Sequence, residues 1–230
     1  MDPGGSAAIV LAAGVGRRIG AEEPKAFLAI GGRTMLAVSA AAAAASPAIG
    51  SLVIAAPPGW EDRATAEVRD LGAPVEVVTG GLTRQASVRV ALEALGDRSR
   101  WVAVHDAARP FAPPELFTEV LRAVLAGAVG AVPIVPIADT VKRVRDGAVV
   151  GTEARAELAL AQTPQAFETA ILREAHERAA RAGIDLTDDA AILEWAGHTV
   201  VTVAGDQMNF KITTLMDLAL AGSRIGGDGG

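Results

Sequence analysis

An α/β fold, a mostly parallel twisted sheet with helices on both faces, follows from three features of the sequence. Short apolar runs rich in β-branched residues recur at Ile9–Leu11, Leu52–Ala55, Val75–Val78, Trp101–Val104, Ala131–Val135 and Thr199–Val203. Alanine- and leucine-rich stretches with charges along one face lie between them, at Met35–Ala45, Glu61–Leu71, Arg84–Leu95 and Pro114–Leu125. Strands alternating with helices of that length need crossover connections, which pair strands in parallel and cover both faces of the sheet. The third feature is one interruption. After Pro136, Asp139–Val150 alternates polar and apolar residues around Asp146-Gly147, a strong hairpin signal, so a projecting β-arm is expected at about residues 137–158. Taken alone, that hairpin fits a local feature of one subunit as well as an arm. Helical pattern resumes at Phe167–Ala182 and Asp188–Trp195.

With 230 residues, half of them apolar, the chain can bury one core, so residues 1–230 are expected to form a single domain. Residues 1–6 and 224–230 are expected to be flexible. The net charge of −6 argues against a surface for nucleic acid. The absence of cysteine excludes disulfides, thiolate metal sites and a cysteine nucleophile. The opening MDPGGSAA lacks the layout of a signal peptide and no apolar run approaches a membrane span, so a soluble, cytoplasmic protein is expected. The run Ala40–Ala45 reads as a tightly packed helix. His105, His176 and His198 are too scattered for a metal cluster, and no G-x-S-x-G elbow supports a serine triad.

The first strand leads into Ala12-Ala13-Gly14-Val15-Gly16-Arg17-Arg18, and Pro24-Lys25 follows. Small residues after a strand let the backbone approach a ligand, and successive N–H groups there form an anion-binding concavity. The dinucleotide fingerprint fails because Ile19 stands where the third glycine belongs, and Lys25 is not in a P-loop. The loop alone fits both a triphosphate cradle and a solvated surface turn. Gly80-Gly81-Leu82-Thr83-Arg84-Gln85-Ala86-Ser87-Val88 sits where a strand passes into a helix, which suits close approach to a base edge or an ordinary glycine turn. His105-Asp106-Ala107-Ala108-Arg109-Pro110 leaves the carboxyl end of a strand, where parallel sheets bind ligands. There Asp106 suits Mg²⁺ and Arg109 a phosphate, although a salt-bridged turn fits the same residues. Thr187-Asp188-Asp189 reads as a helix cap with acids in the first turn.

These strings together resemble the signature of the cytidylyltransferases that make 4-diphosphocytidyl-2-C-methyl-D-erythritol in the non-mevalonate isoprenoid pathway. The match runs from the A-A-G-x-G-x-R loop and P-K, through G-G-x-x-R-x-x-S-V and V-H-D-A-A-R-P, to Asp139–Arg143, Arg155 with Thr163-Pro164-Gln165, and Asn209-Phe210-Lys211-Ile212-Thr213. The resemblance implies a Rossmann-like nucleotidyltransferase fold, with CTP and 2-C-methyl-D-erythritol 4-phosphate as substrates and Mg²⁺ as cofactor. It also implies a homodimer formed through the arm. It assigns catalysis to Arg18, Lys25, Arg155 and Lys211. Ala12, Ala13, Gly14, Gly16, Arg18 and Lys25 would bind the nucleotide with Gly80, Gly81, Ser87 and Asp106, the last also holding the metal. Asp106, Arg109, Thr140, Arg155, Thr163, Thr187 and Lys211 would bind the acceptor. The chain departs from the family pattern at Leu82, where relatives often carry a polar residue, and at Leu215-Met216, where they usually carry a proline. A ribitol-5-phosphate cytidylyltransferase shares most of these motifs, and a non-catalytic nucleotide-binding regulator of the same fold is a second alternative.

Overall fold

The computed structural model describes residues 5–14 and 23–226. In chain order come β1 (Ser6–Leu11), the antiparallel pair β2 (Ala29–Ile30) and β3 (Arg33–Thr34), α1 (Met35–Ala45), β4 (Ser51–Ala56) and α2 (Glu61–Val68). They are followed by β5 (Val75–Thr79), α3 (Arg84–Leu95), β6 (Trp101–Asp106), α4 (Pro114–Leu125) and β7 (Gly130–Pro136). After the hairpin β8 (Lys142–Arg145) and β9 (Ala148–Thr152) come β10 (Ala159–Ala161), β11 (Gln165–Glu168), α5 (Thr169–Arg181), α6 (Asp189–Trp195), β12 (Val200–Ala204) and α7 (Leu215–Gly226).

The main sheet runs β5-β4-β1-β6-β11-β7, with β12 on the far edge of β7 and β10 pairing the end of β7 beyond β11. The β1–β4, β1–β6, β4–β5 and β7–β12 pairs are parallel, and only β10 and β11 run against the rest. Side chains of a strand alternate between faces, and β1 sorts its own accordingly. Ala8 and Val10 join the core with Leu36, Ala40, Phe117 and Leu121. Ala7 and Ile9 join the opposite core with Val88, Leu92, Leu172 and Leu193. The sheet is therefore covered twice, as the alternation of strands and helices predicts.

The expected helix from Phe167 starts two residues later, at Thr169, because Gln165–Glu168 is a strand. Phe167 pairs with Val102 on one side and Gly130 on the other and is fully buried. A Cβ on Gly130 would lie 2.8 Å from the Phe167 ring, so the glycine makes the space that draws this aromatic into the sheet. At both ends, residues expected to be flexible lie within regular elements. Ser6 is buried in β1, and Arg224 lies in α7 with its guanidinium 4.8 Å from the Phe111 ring centre.

Asp146 (φ 50°) and Gly147 (φ 78°) turn the β8–β9 hairpin in the left-handed conformation its tight loop requires. Val144 and Val149 pair across it and are 59% and 63% exposed, an apolar patch on a thin ribbon. Among the described residues no helix is long and apolar enough to cross a membrane.

Candidate active site

A cleft of about 450 Å³ opens beyond the carboxyl ends of β1, β5 and β6. Ala12, Ala13 and Gly14 form one wall, Gly81 and Ser87 another, and Lys25, Asp106 and Lys211 enter from three further segments. Gly80 sets the distance between the first two walls. A Cβ there would lie 2.5 Å from Ala13 Cβ and 3.1 Å from both Ala56 O and Ser87 Oγ. Both walls hang from β4, since Ala12 N–H donates to Ala55 O (2.9 Å) and Gly80 N–H to Ala56 O (2.7 Å). Thr83 caps α3 by accepting from Ala86 N–H, while Ser87 Oγ accepts from Gly81 N–H (3.1 Å) and donates to Thr83 O (2.9 Å). The second wall is thus closed on itself by the residues of its own motif.

Asp106 ends β6 and is held from behind. Its N–H donates to Thr163 Oγ1 (3.0 Å), and Ser39 on α1 donates to the next carbonyl, Ala107 O (2.9 Å). Burial pushes His105 down to about 4, against the pull of Asp106 and of the Arg109 carbonyl, so the ring is neutral near pH 7. Since its Nε2 meets Arg109 O at 3.1 Å, the proton sits on Nε2, and Thr163 Oγ1 donates to Nδ1 at 3.0 Å. The carboxylate itself faces two cations, with Arg84 Nε at 3.1 Å on Oδ1 and Lys211 Nζ at 2.6 Å on Oδ2. Burial alone would raise the Asp106 pKa, but the charges of Arg84 and Lys211 outweigh it and hold the group below the usual carboxylate range.

Lys211 stands on a short connection whose neighbours are tied down. Ile212 is buried against Ile30, Met35 and Ala221, its N–H donates to Ala108 O (2.8 Å), and Lys25 Nζ donates to its carbonyl. Asn209 is fully buried and donates to Thr163 O (2.8 Å), so the Lys211 segment and the Thr163 turn move as one. Lys25 follows Pro24 in a 3-10 turn, Lys25–Phe27, whose Phe27 is buried beside Trp60.

The remaining predicted residues lie elsewhere. Gly16 and Arg18 are outside the described residues. Gly80 and Thr163 are buried behind the cleft. Arg109 is half-withdrawn and donates to Asn209 O (2.8 Å) and Ala161 O (3.1 Å), bracing the loop rather than facing the cavity. Thr187 is exposed on the turn before α6. Thr140 and Arg155 are exposed at the base of the arm, where Arg155 donates to Ala138 O (2.5 Å), and neither lines this cleft.

The sequence profile of the 2-C-methyl-D-erythritol 4-phosphate cytidylyltransferase family, IspD, matches residues 6–226. The chain belongs to this family. It is 47% identical over 94% of its length to the cytidylyltransferase of that name from Frankia casuarinae, covering 79% of that protein. To the one from Corynebacterium diphtheriae it is 39% identical, with 93% and 91% of the two chains covered. It is also 45% identical to a bifunctional IspD/IspF enzyme of Rhodopseudomonas palustris, of whose length it spans 56%. The crystal structure of the Thermus thermophilus enzyme superimposes with a TM-score of 0.80 at 37% identity, over 96% of this chain and 99% of that one.

As a cytidylyltransferase of this family, the chain carries one cleft residue that lies within its motif strings but has no role assigned to it there. Arg84 lines the cleft and stands at the first position of α3, where the helix dipole disfavours a cation. That mismatch was the signal in the sequence. Its answer is a pair of carboxylates, Asp106 and the fully buried Asp189, the latter 2.8 Å from Nη2. The reading of a cap with acids in the first turn holds, Asp188 accepting from Ala191 N–H (2.9 Å) and Asp189 standing in the first turn of α6, but Asp189 is also buried against Arg84. Among the described residues no group of three or more potential ligands forms a metal site, and Asp106 is the one carboxylate lining the cleft. One ionised carboxylate fits a Mg²⁺ that takes its other ligands from a triphosphate and water.

Proposed function

We propose that the chain transfers the cytidylyl group of CTP to 2-C-methyl-D-erythritol 4-phosphate, releasing pyrophosphate and forming 4-diphosphocytidyl-2-C-methyl-D-erythritol. The observation that carries this reading is the meeting of Lys25, Asp106 and Lys211 with the Ala12–Gly14 and Gly81–Ser87 loops around one cleft. Nucleotidyl transfer asks little covalent chemistry of a protein, and positioning with charge neutralisation does most of the catalysis. The acceptor phosphate and the α-phosphate repel each other as they approach in line. Lys25 and Arg18 offset charge on the α-phosphate and the leaving pyrophosphate. Lys211, held by Asp106 until substrate binds, turns its ammonium to the attacking phosphate. Gly81 and Ser87 read the cytosine edge. Mg²⁺, held by Asp106 together with the triphosphate, would supply further neutralisation of phosphate charge.

Arg155 and Thr140 serve the cleft of a second subunit in a homodimer, and Arg109, Thr163 and Thr187 support the acceptor side. The exposed Val144 and Val149 on the arm favour this arrangement, because a thin apolar ribbon gains from being covered. The charge and composition favour a soluble, cytoplasmic enzyme. Lys25→Ala is expected to lower turnover by about two powers of ten or more, the scale of a lost preorganised donor. Mixing Lys25→Ala with Arg155→Ala subunits should restore about a quarter of wild-type activity, since half the dimers carry one intact site. Pyrophosphate release with 2-C-methyl-D-erythritol 4-phosphate and not with ribitol 5-phosphate is the expected acceptor pattern. The opposite preference, or no recovery on mixing after verified exchange, overturns the reading.

A further inference from the structure

The polar groups around Asp106 form an unbroken chain. From the cleft inward it runs Lys211 Nζ, Asp106, Arg84, Asp189, His176, with contacts of 2.6, 3.1, 2.8 and 2.9 Å. Its outer members are partly exposed, 40% for the Lys211 side chain, 11% for Asp106 and 23% for Arg84, and its inner pair is not, with Asp189 at 0% and His176 at 1%. The chain spans five separate segments: the Lys211 connection, β6, α3, the start of α6, and α5.

Two details show that Arg84 is placed by both acids together. Its Nε makes an aligned hydrogen bond to Asp106 Oδ1, whereas Nη2 and Asp189 Oδ2 are close but off the hydrogen-bond direction. The guanidinium is therefore oriented by Asp106 and retained by the charge of Asp189. Asp189 in turn is fixed by His176, whose Nε2 meets Oδ1 at 2.9 Å in a fully buried contact. Without Asp189, the helix-start cation would have one carboxylate left to satisfy it, and that carboxylate is already shared with Lys211.

We propose that Arg84, held between Asp106 and the buried Asp189–His176 pair, is a positioning residue that fixes the Asp106 carboxylate and so the place of Lys211 in the cleft. The pair works as a counterweight. It keeps Arg84 from collapsing wholly onto Asp106 and displacing Lys211. The bridge also joins the base-reading loop, through α3, to the turn that carries Thr187. The hydrogen bonds that close the nucleotide loops, made by Ser87, Thr83, Ala12 and Gly80, lie outside it, so its loss acts on turnover more than on nucleotide affinity.

The inference rests on the transferase reading above, and its test compares two variants with wild type. Asp189→Asn keeps the shape and removes the charge. The triple variant Arg84→Met, Asp189→Leu, His176→Leu replaces the three inner members of the chain by apolar groups, an exchange that proteins often tolerate without loss of stability. Each folded variant is expected to lose at least about tenfold in kcat while KM for CTP stays within about threefold, the mark of an interaction made in the transition state. A purely structural role predicts instead that kcat returns with the melting temperature in the triple variant. Wild-type kcat in either folded variant overturns the proposal.

Should wild type itself fail to turn over CTP with the acceptor, the reaction assignment fails and crystal structures decide the bridge. Arg84 shifted toward Asp106 and a broken Lys211–Asp106 contact in Asp189→Asn sustain it. Both contacts unmoved overturn it.

Discussion

Gly80→Ala tests whether the nucleotide cleft depends on one close approach between its two walls. The added methyl would sit 2.5 Å from Ala13 Cβ, against a comfortable carbon–carbon separation of about 3.5–4.0 Å. About 1 Å must therefore be found, and the neighbours are poorly placed to give it. Ala12 and Gly80 are both hydrogen-bonded to the end of β4, and the methyl's other contacts are the Ala56 carbonyl and the Ser87 hydroxyl, each at 3.1 Å. Overpacking of this kind costs about 1–3 kcal/mol. In a domain of this size that lowers the melting temperature by roughly 3–10 °C. The larger effect is on function, because the wall carrying Ala13 and the wall carrying Ser87 are driven apart. A displacement near 1 Å in positioning groups can cost up to about a hundredfold, and we expect KM for CTP to rise about tenfold or more. Gly222→Ala is the control, for a Cβ there meets nothing within 4 Å inside α7. It should stabilise by about 0.5–1 kcal/mol and leave KM alone. Thermal melts and pyrophosphate-release kinetics on both variants check the argument. A Gly80→Ala protein that melts within about 1 °C of wild type with unchanged KM refutes it.

Two further outcomes follow from the same geometry. Because burial depresses His105 from 6.5 to about 4, its neutral form stabilises the fold fully above the ordinary value, and that contribution is lost as pH falls from 6.5 toward 4. At about 1.4 kcal/mol per pH unit this amounts to roughly 3 kcal/mol. Urea unfolding at pH 7 and 4.5 should therefore show a shallower loss for His105→Gln than for wild type, and parallel losses would remove His105 as a cause. Val149→Asp charges the exposed face of the arm without touching the core. It should convert a dimer into monomers by sedimentation at little cost in melting temperature, and an unchanged mass would mean the arm does not hold the subunits together.

What the sequence determined by itself is whatever depends on neighbours in the chain. The period of apolar residues set the strands and the two-sided sheet, and Asp146-Gly147 set the hairpin through its left-handed turn. The motif strings also marked the segments that meet at the cleft, because a glycine pair or a strand-end Asp is a local requirement of the ligand. What needed the tertiary structure are features in which distant residues answer one another. Gln165–Glu168 is too short to show a strand period, and it becomes a strand because Gly130 leaves room for Phe167. Arg109 carries the look of a phosphate ligand, yet two carbonyls, at Asn209 and Ala161, claim its guanidinium. Asp189 reads as an acid in the first turn of a helix, and burial against Arg84 and His176 makes it part of the support for Asp106. Charge is legible in a sequence, but which opposite charge will lie beside it after burial is decided only when the chain closes around both.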